Sequence, residues 1–152
     1  MTASLDPETG TLTGPIHHYP VRVYYEDTDA GGIVYHANYL RFAERARTEM
    51  LRCVGFAHND LIGAHRVMLA VRSLEIDYVF PARLDEALVV ETKILAVGGA
   101  SIKLSQLVYH LDEPESVCSR IRLRLACIDG NARPARLPED FLARALGLVV
   151  KE

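Results

Sequence analysis

From His36 to Cys53 the sequence keeps a helical period, and after that the chain turns to strand periods for most of its length. Tyr39, Leu40, Ala43, Ala46, Met50, Leu51 and Val54 recur at steps of three and four. Arg41, Glu44, Arg45, Arg47, Glu49 and Arg52 fall between them as a polar face, which predicts one amphipathic helix. Gly55 stands just past the last periodic residue, where a helix stop is expected. Such a helix is about 27 Å long. Strand-like segments follow at Val67 to Phe80, Leu88 to Val97, Ser101 to His110 and Val117 to Asp129. They are parted by Pro81, by Gly98-Gly99 and by Asp112 to Pro114, turns short enough to make neighbours antiparallel. A ten-residue strand spans about 33 Å, so the helix can lie across a curled sheet and both apolar surfaces are covered. The fold class expected is α+β.

The flanks fit this frame. Tyr19 to Tyr25 reads as a first strand, Asp27 to Gly32 as a turn, His58 to His65 as a helical turn or loop, and Pro138 to Leu146 as a short closing helix. Residues 1–18, rich in Thr, Gly, Pro and acids at their start, are expected to be a flexible lead-in to a single domain over residues 19–152. A chain of 152 residues is long enough to bury one core without staples.

Composition removes several classes of function. Seventeen basic residues against twenty acidic give a net charge of −3, which leaves no positive field for nucleic acid. The three cysteines, Cys53, Cys118 and Cys127, are odd in number and widely spaced, so neither a disulfide framework nor a zinc site is indicated. The first residues lack the apolar run and basic region of a secretory signal. The longest apolar run, Val67 to Val71, falls far short of the roughly 18 residues of a membrane span. A soluble protein of the reducing cytoplasm is expected.

No familiar nucleophile or cofactor motif stands out. There is no G-x-S-x-G elbow, no H-E-x-x-H and no phosphate-binding glycine fingerprint. Asp27, Asp29 and Gly32 resemble the start of a calcium loop, but Gly31 stands where that loop needs a ligand and Asn38 where it needs a bidentate Glu. No metal and no organic cofactor are expected. His17 and His18 read as exposed residues beside the lead-in. Arg120, Arg122 and Arg124 alternate on one face of one strand. An outer face or subunit contact is the ordinary reading, and an anion site the sharper one.

One stretch remains, YEDTDAGGIVYHANY over residues 25–39. A Gly-rich turn before a helix accounts for the glycines and one acid. It does not account for a run straight into Ile33, Val34 and Tyr35. A site accounts for all of it. The helix tip presents unpaired N–H groups and the positive end of the dipole, where a carbonyl is polarised as in an oxyanion hole. Gly31 and Gly32 let a substrate approach the backbone, and Ile33, Val34 and Tyr35 form a dry wall. A nearby carboxylate attacks the carbonyl or activates water. The residues themselves do not choose between Asp27 and Asp29.

The segment VRVYYEDTDAGGIVYHANYLRFAERARTEMLR closely resembles the opening of hotdog-fold acyl-CoA thioesterases. The similarity is to the YbgC type associated with the Tol-Pal system, within the 4-hydroxybenzoyl-CoA thioesterase family. DYVFPARLDEALVVET and LACIDGNARPARLP resemble later parts of that family. The resemblance implies a long central helix wrapped by a five-stranded antiparallel sheet. It also implies homodimers or homotetramers with active sites at subunit interfaces, and an acyl-CoA or acyl-carrier thioester as substrate. It places the catalytic carboxylate on Asp29, the oxyanion amide at His36, and supporting roles on Tyr25 and the His36 side chain. Two other readings share the fold: a dehydratase acting on carrier-protein substrates, against which E-D-T-D-A-G-G argues, and a non-catalytic partner of acyl-carrier protein or envelope assembly.

Overall fold

The computed structural model describes residues 5–151. In chain order the elements are β1 (Thr11–Thr13), β2 (Ile16–Arg22), a 3-10 turn (Tyr25–Asp27), α1 (Asn38–Cys53), α2 (His58–Ala64), β3 (Met68–Tyr78), β4 (Ala87–Val97), β5 (Ser101–His110), β6 (Val117–Ile128) and α3 (Glu139–Leu146). The strands form one antiparallel sheet in the order β1-β2-β4-β5-β6-β3. Helix α1 lays its apolar stripe on β2, β4 and β5. This is the expected helix-on-sheet arrangement, with a sixth strand added by the short β1.

Local chemistry sets the helix ends. At the C-terminus Gly55 adopts φ +95°, a left-handed conformation that glycine takes without cost. Its N–H bonds to Arg52 O at 3.1 Å and the Phe56 N–H to Leu51 O at 2.9 Å, the paired bonds of a Schellman stop. At the N-terminus α1 begins at Asn38, so His36 lies ahead of the helix rather than in its first turn. The core falls into two clusters. One gathers Met50, Leu51, Phe56, Ile121 and Phe141, and the other Val23, Tyr39, Phe42, Leu88 and Val108.

Three expectations are corrected. Residues 11–13 and 16–18, assigned to a flexible lead-in, are strand, with Thr11 opposite His18 and His17 opposite Thr92. Residues 1–4 of that segment lie outside the described residues. His17, read as exposed, is fully buried. The strand expected to run to Phe80 stops at Tyr78, because the Val79 and Phe80 N–H groups both turn to Cys118 O, at 2.8 and 3.3 Å. The registers of β6 with β5 skip Cys118, a β-bulge. The arginine row is exposed as expected, with Arg120 opposite Asp77 and Arg122 opposite Glu75 across β3. Charges matched in register suit a solvated face.

The buried His17 ring donates its Nε2–H to Thr9 O at 2.8 Å, while Nδ1 has no partner. Burial, the largest influence, lowers its pKa, against an opposing pull from the Thr9 bond and Glu49 and a like push from His18. Folding therefore keeps the ring neutral, and the unfolded chain binds its proton first. The stability this contributes is present above about pH 6.5, the ordinary histidine value, and is lost as pH falls toward the lowered folded value. Between about pH 7.5 and about pH 5.5 the urea midpoint of the wild type is expected to fall more steeply than that of His17→Phe. Equal slopes would contradict it.

Candidate active site

The stretch between β2 and α1 is built around Asp27. Its carboxylate is buried, at 3% exposure. Oδ2 accepts the Tyr24 N–H at 2.8 Å, Oδ1 accepts the Asn38 Nδ2–H at 2.9 Å, and the Asp27 carbonyl accepts the Tyr35 N–H at 2.8 Å. A buried carboxylate is tolerable when its oxygens are hydrogen-bonded, and the positive end of α1 lies beside it. Asp27 thus clasps both ends of the stretch.

Between those ends the chain reverses. The Asp29 N–H bonds to Ile33 O at 2.9 Å and the Gly32 N–H to Asp29 O at 3.0 Å, with Gly32 at φ +77°. The left-handed turn therefore explains Gly32 directly. Asp29 Oδ1 accepts the Gly31 N–H at 2.8 Å. Oδ2 makes no hydrogen bond among the described residues, and the side chain is exposed. After the turn the chain pairs with residues 82–83. Ile33 stands opposite Arg83, and the Val34 N–H bonds to Ala82 O at 2.8 Å. The Ala82 N–H in turn bonds to the Tyr39 hydroxyl oxygen at 3.0 Å. Burial pushes the Tyr39 pKa up to about 12, so that hydroxyl keeps its proton.

These ties border a cleft of about 380 Å³. Asp29, Ile33, Val34 and His36 line it from the turn, Tyr78, Val79, Phe80 and Pro81 from the end of β3, and the buried Tyr39 and Cys118 also line it. Burial raises the Cys118 thiol to about 12, with Glu86 adding to the effect, so this thiol is protonated. The His36 carbonyl accepts the Tyr78 hydroxyl at 2.9 Å. The His36 N–H has no partner among the described residues. Its ring leans on Tyr35, 4.5 Å between centroids, and meets Tyr78 edge-on at 6.1 Å.

Of the residues expected at the site, the structure brings Asp29, His36, Ile33 and Val34 to the cleft. Gly31 and Gly32 form the turn without lining it, and Tyr35 backs the His36 ring. Tyr25 is 84% exposed and does not line the cleft of its own chain. Tyr78, Tyr39, Phe80 and Cys118 join the cleft without having been expected there. In the sequence Tyr39 reads only as a member of the helix stripe, and no pattern links Tyr78 to His36 across the intervening chain. Among the described residues no three His, Cys, Asp or Glu side chains gather to hold a metal ion.

Comparison with known proteins adds an independent line. A family model described as the thioesterase-like superfamily matches residues 23–145. The chain is 44% identical over 126 residues to the acyl-CoA thioesterase YbgC of Haemophilus influenzae, covering 82% of this chain and 90% of that one. It is 41% identical over 129 residues to the acyl-CoA thioester hydrolase YbgC of Escherichia coli, covering 84% and 94%. The crystal structure of a probable thioesterase from Bartonella henselae superposes with a TM-score of 0.76 at 36% identity, over 81% of this chain and 99% of that one.

The two aspartates are expected to differ in what they do for stability. Asp27→Ala leaves the Tyr24 N–H and the Asn38 amide without their acceptor, at a cost of about 2 kcal/mol or more. Asp29→Asn keeps the Oδ1 acceptor for Gly31 and is expected to stay within about 0.5 kcal/mol of wild type. Urea unfolding of both variants checks this. The account of the clasp fails if the costs are equal.

Proposed function

The chain belongs to the thioesterase-like superfamily, and from that premise we propose that it hydrolyses acyl-CoA thioesters, with Asp29 as the reacting carboxylate and the His36 N–H as the oxyanion donor. The observation that carries this reading is that Asp29 and His36 line one cleft, and that among the described residues one Asp29 carboxylate oxygen and the His36 N–H have no hydrogen-bond partner. Ile33, Val34 and Phe80 supply apolar surface for an acyl group.

In the proposed reaction the thioester oxygen sits on the His36 N–H, near the positive end of α1. Charge that builds on that oxygen meets a donor already in place. Asp29 then works by one of two routes. As a nucleophile it forms an acyl-aspartyl anhydride and expels the coenzyme A thiolate, which takes a proton, and water then cleaves the anhydride. As a base it accepts a proton from water, which attacks the carbonyl; the tetrahedral intermediate then collapses, the C–S bond breaks, and the coenzyme A thiolate leaves and takes a proton. Label found in the Asp29 carboxylate after a single turnover in heavy-oxygen water identifies the anhydride route with water attacking the aspartyl carbon, because the base route labels only the released acid. The imidazole of His36, backed by Tyr35 and Tyr78, orients water or the thioester.

A second copy completes the proposed site. Strand β3 is an edge strand of the sheet formed by the described residues, and unpaired edges invite pairing. Its Met68, Val71 and Tyr78 are 42%, 49% and 48% exposed, a surface that favours burial. The cleft lies at the end of this strand, so a copy paired there would border it. The exposed Tyr25 is proposed to act within that interface.

Release of free thiol from a panel of acyl-CoAs tests the reading. Turnover is expected with the wild type, and Asp29→Asn is expected to lose at least roughly 100-fold in kcat with its fold intact. An Asp29→Asn enzyme within a few-fold of wild type would remove Asp29 from the mechanism. No turnover on any acyl-CoA, together with binding of acyl-carrier protein, would instead favour a non-catalytic partner.

A further inference from the structure

Arg47 is half-buried and turns its guanidinium toward the interior of the fold. The helical period assigns it to the polar face of α1, but its side chain reaches inward and donates Nη1–H to Gln106 Oε1 at 3.0 Å. Gln106 is itself buried, at 2% exposure. Its Nε2 donates to Ala43 O at 2.9 Å and to Thr92 Oγ1 at 3.0 Å. The amide is therefore fixed with its oxygen toward the guanidinium. Among the described residues Arg47 forms no ion pair. Glu44, one turn earlier on α1, acts on it only through space. Burial lowers the Arg47 pKa, yet a guanidinium remains charged. Charges taken from water are ordinarily paired, and a neutral amide oxygen is a weak substitute for a carboxylate.

The space beside this cation is apolar. A pocket of about 50 Å³ runs from Arg47 between α1, α3 and the sheet, past Val54, Ile94, Ile102 and Phe141. It shares Arg47, Leu51, Leu69 and Leu125 with a wider depression of about 190 Å³, whose rim carries Glu44, Thr48 and His58. Neither shares a lining residue with the Asp29 cleft. We propose that these two adjoining spaces, which share Arg47, bind an aliphatic monocarboxylate of short to medium chain, its carboxylate on Arg47 and its tail toward Phe141. Two observations select this class. A single guanidinium with donors to spare matches one carboxylate, which it can hold through two parallel bonds. Glu44 at the rim opposes a multiply charged anion such as a phosphate.

The site stands on its own geometry and does not require the Asp29 chemistry. If that chemistry is as proposed, the ligand belongs to the same class as the acid released. The depression opens beside Leu69 and Val71 of β3, the edge proposed to pair with a second copy, so the native assembly is the species to test.

Calorimetric titration of the intact protein with octanoate and with octanamide provides the test, in wild type, Asp29→Asn and Arg47→Met. Saturable binding of about one octanoate per chain is expected, equal in Asp29→Asn, at least tenfold weaker in Arg47→Met, and at least tenfold weaker for octanamide on the wild type. Methyl resonances of Met50, Leu51 and Ile102 should shift, and those of Ile33 and Val34 should not. No saturation at millimolar octanoate, equal binding of octanamide, or shifts confined to Ile33 and Val34 would overturn the site. The octanamide comparison holds even if Arg47→Met fails to fold. Thiol release from acyl-CoA is read separately, so loss of either result leaves the other standing.

Discussion

The arrangement at the cleft depends on the buried carboxylate of Asp27. A segment joining a strand to a helix has backbone N–H groups to satisfy, and those at a helix start have no intrahelical partner. Asp27 braces this segment from inside: its carboxylate takes the Tyr24 N–H behind it and the Asn38 side-chain amide ahead of it, while its carbonyl takes the Tyr35 N–H. The chain between is thereby forced into a tight reversal. Asp29 and His36 stand on either side of that reversal, and both reach the same cleft. Two tyrosines make the outer ties: Tyr39 holds residue 82, and Tyr78 holds the His36 carbonyl.

Two carboxylates separated by one residue therefore meet opposite conditions. Each oxygen of the Asp27 side chain is engaged and withdrawn from solvent. Asp29 spends one oxygen on the turn, and the other has no hydrogen bond among the described residues. A group that must react with a substrate needs both a fixed position and an unspent lone pair, and Asp29 has the two together. The same contrast distinguishes the backbone groups of His36, whose carbonyl is held by Tyr78 while its N–H has no partner among the described residues. Fixed donors and acceptors of this kind cost no reorganisation when charge moves.

Much of this was legible in the sequence, and the exceptions have physical causes. The period of three and four located α1 and its Gly55 stop because burial on one face imposes that spacing. The alternation in β4, β5 and β6 was equally plain. The period could not show that Arg47 turns inward, since a long side chain can leave a polar face to reach Gln106. Nor could it show that β1 and His17 complete the sheet edge, because short polar strands carry little alternation. The choice of Asp29 over Asp27 came from resemblance, while the physical difference, burial against exposure, needed three dimensions. Tyr78 lies a strand and two helices away from His36 in sequence, so only the fold could bring it there.

The core of the account is that a thioester carbonyl binds between Asp29 and the His36 N–H. The most direct measurement is a crystal structure of the protein with an unreactive acyl-CoA analogue in which a methylene replaces the thioester sulfur. The analogue's carbonyl oxygen is expected within hydrogen-bond distance of the His36 nitrogen, with its carbon facing the Asp29 carboxylate. An analogue bound with its carbonyl outside this cleft, or with its oxygen turned away from His36, would contradict the account.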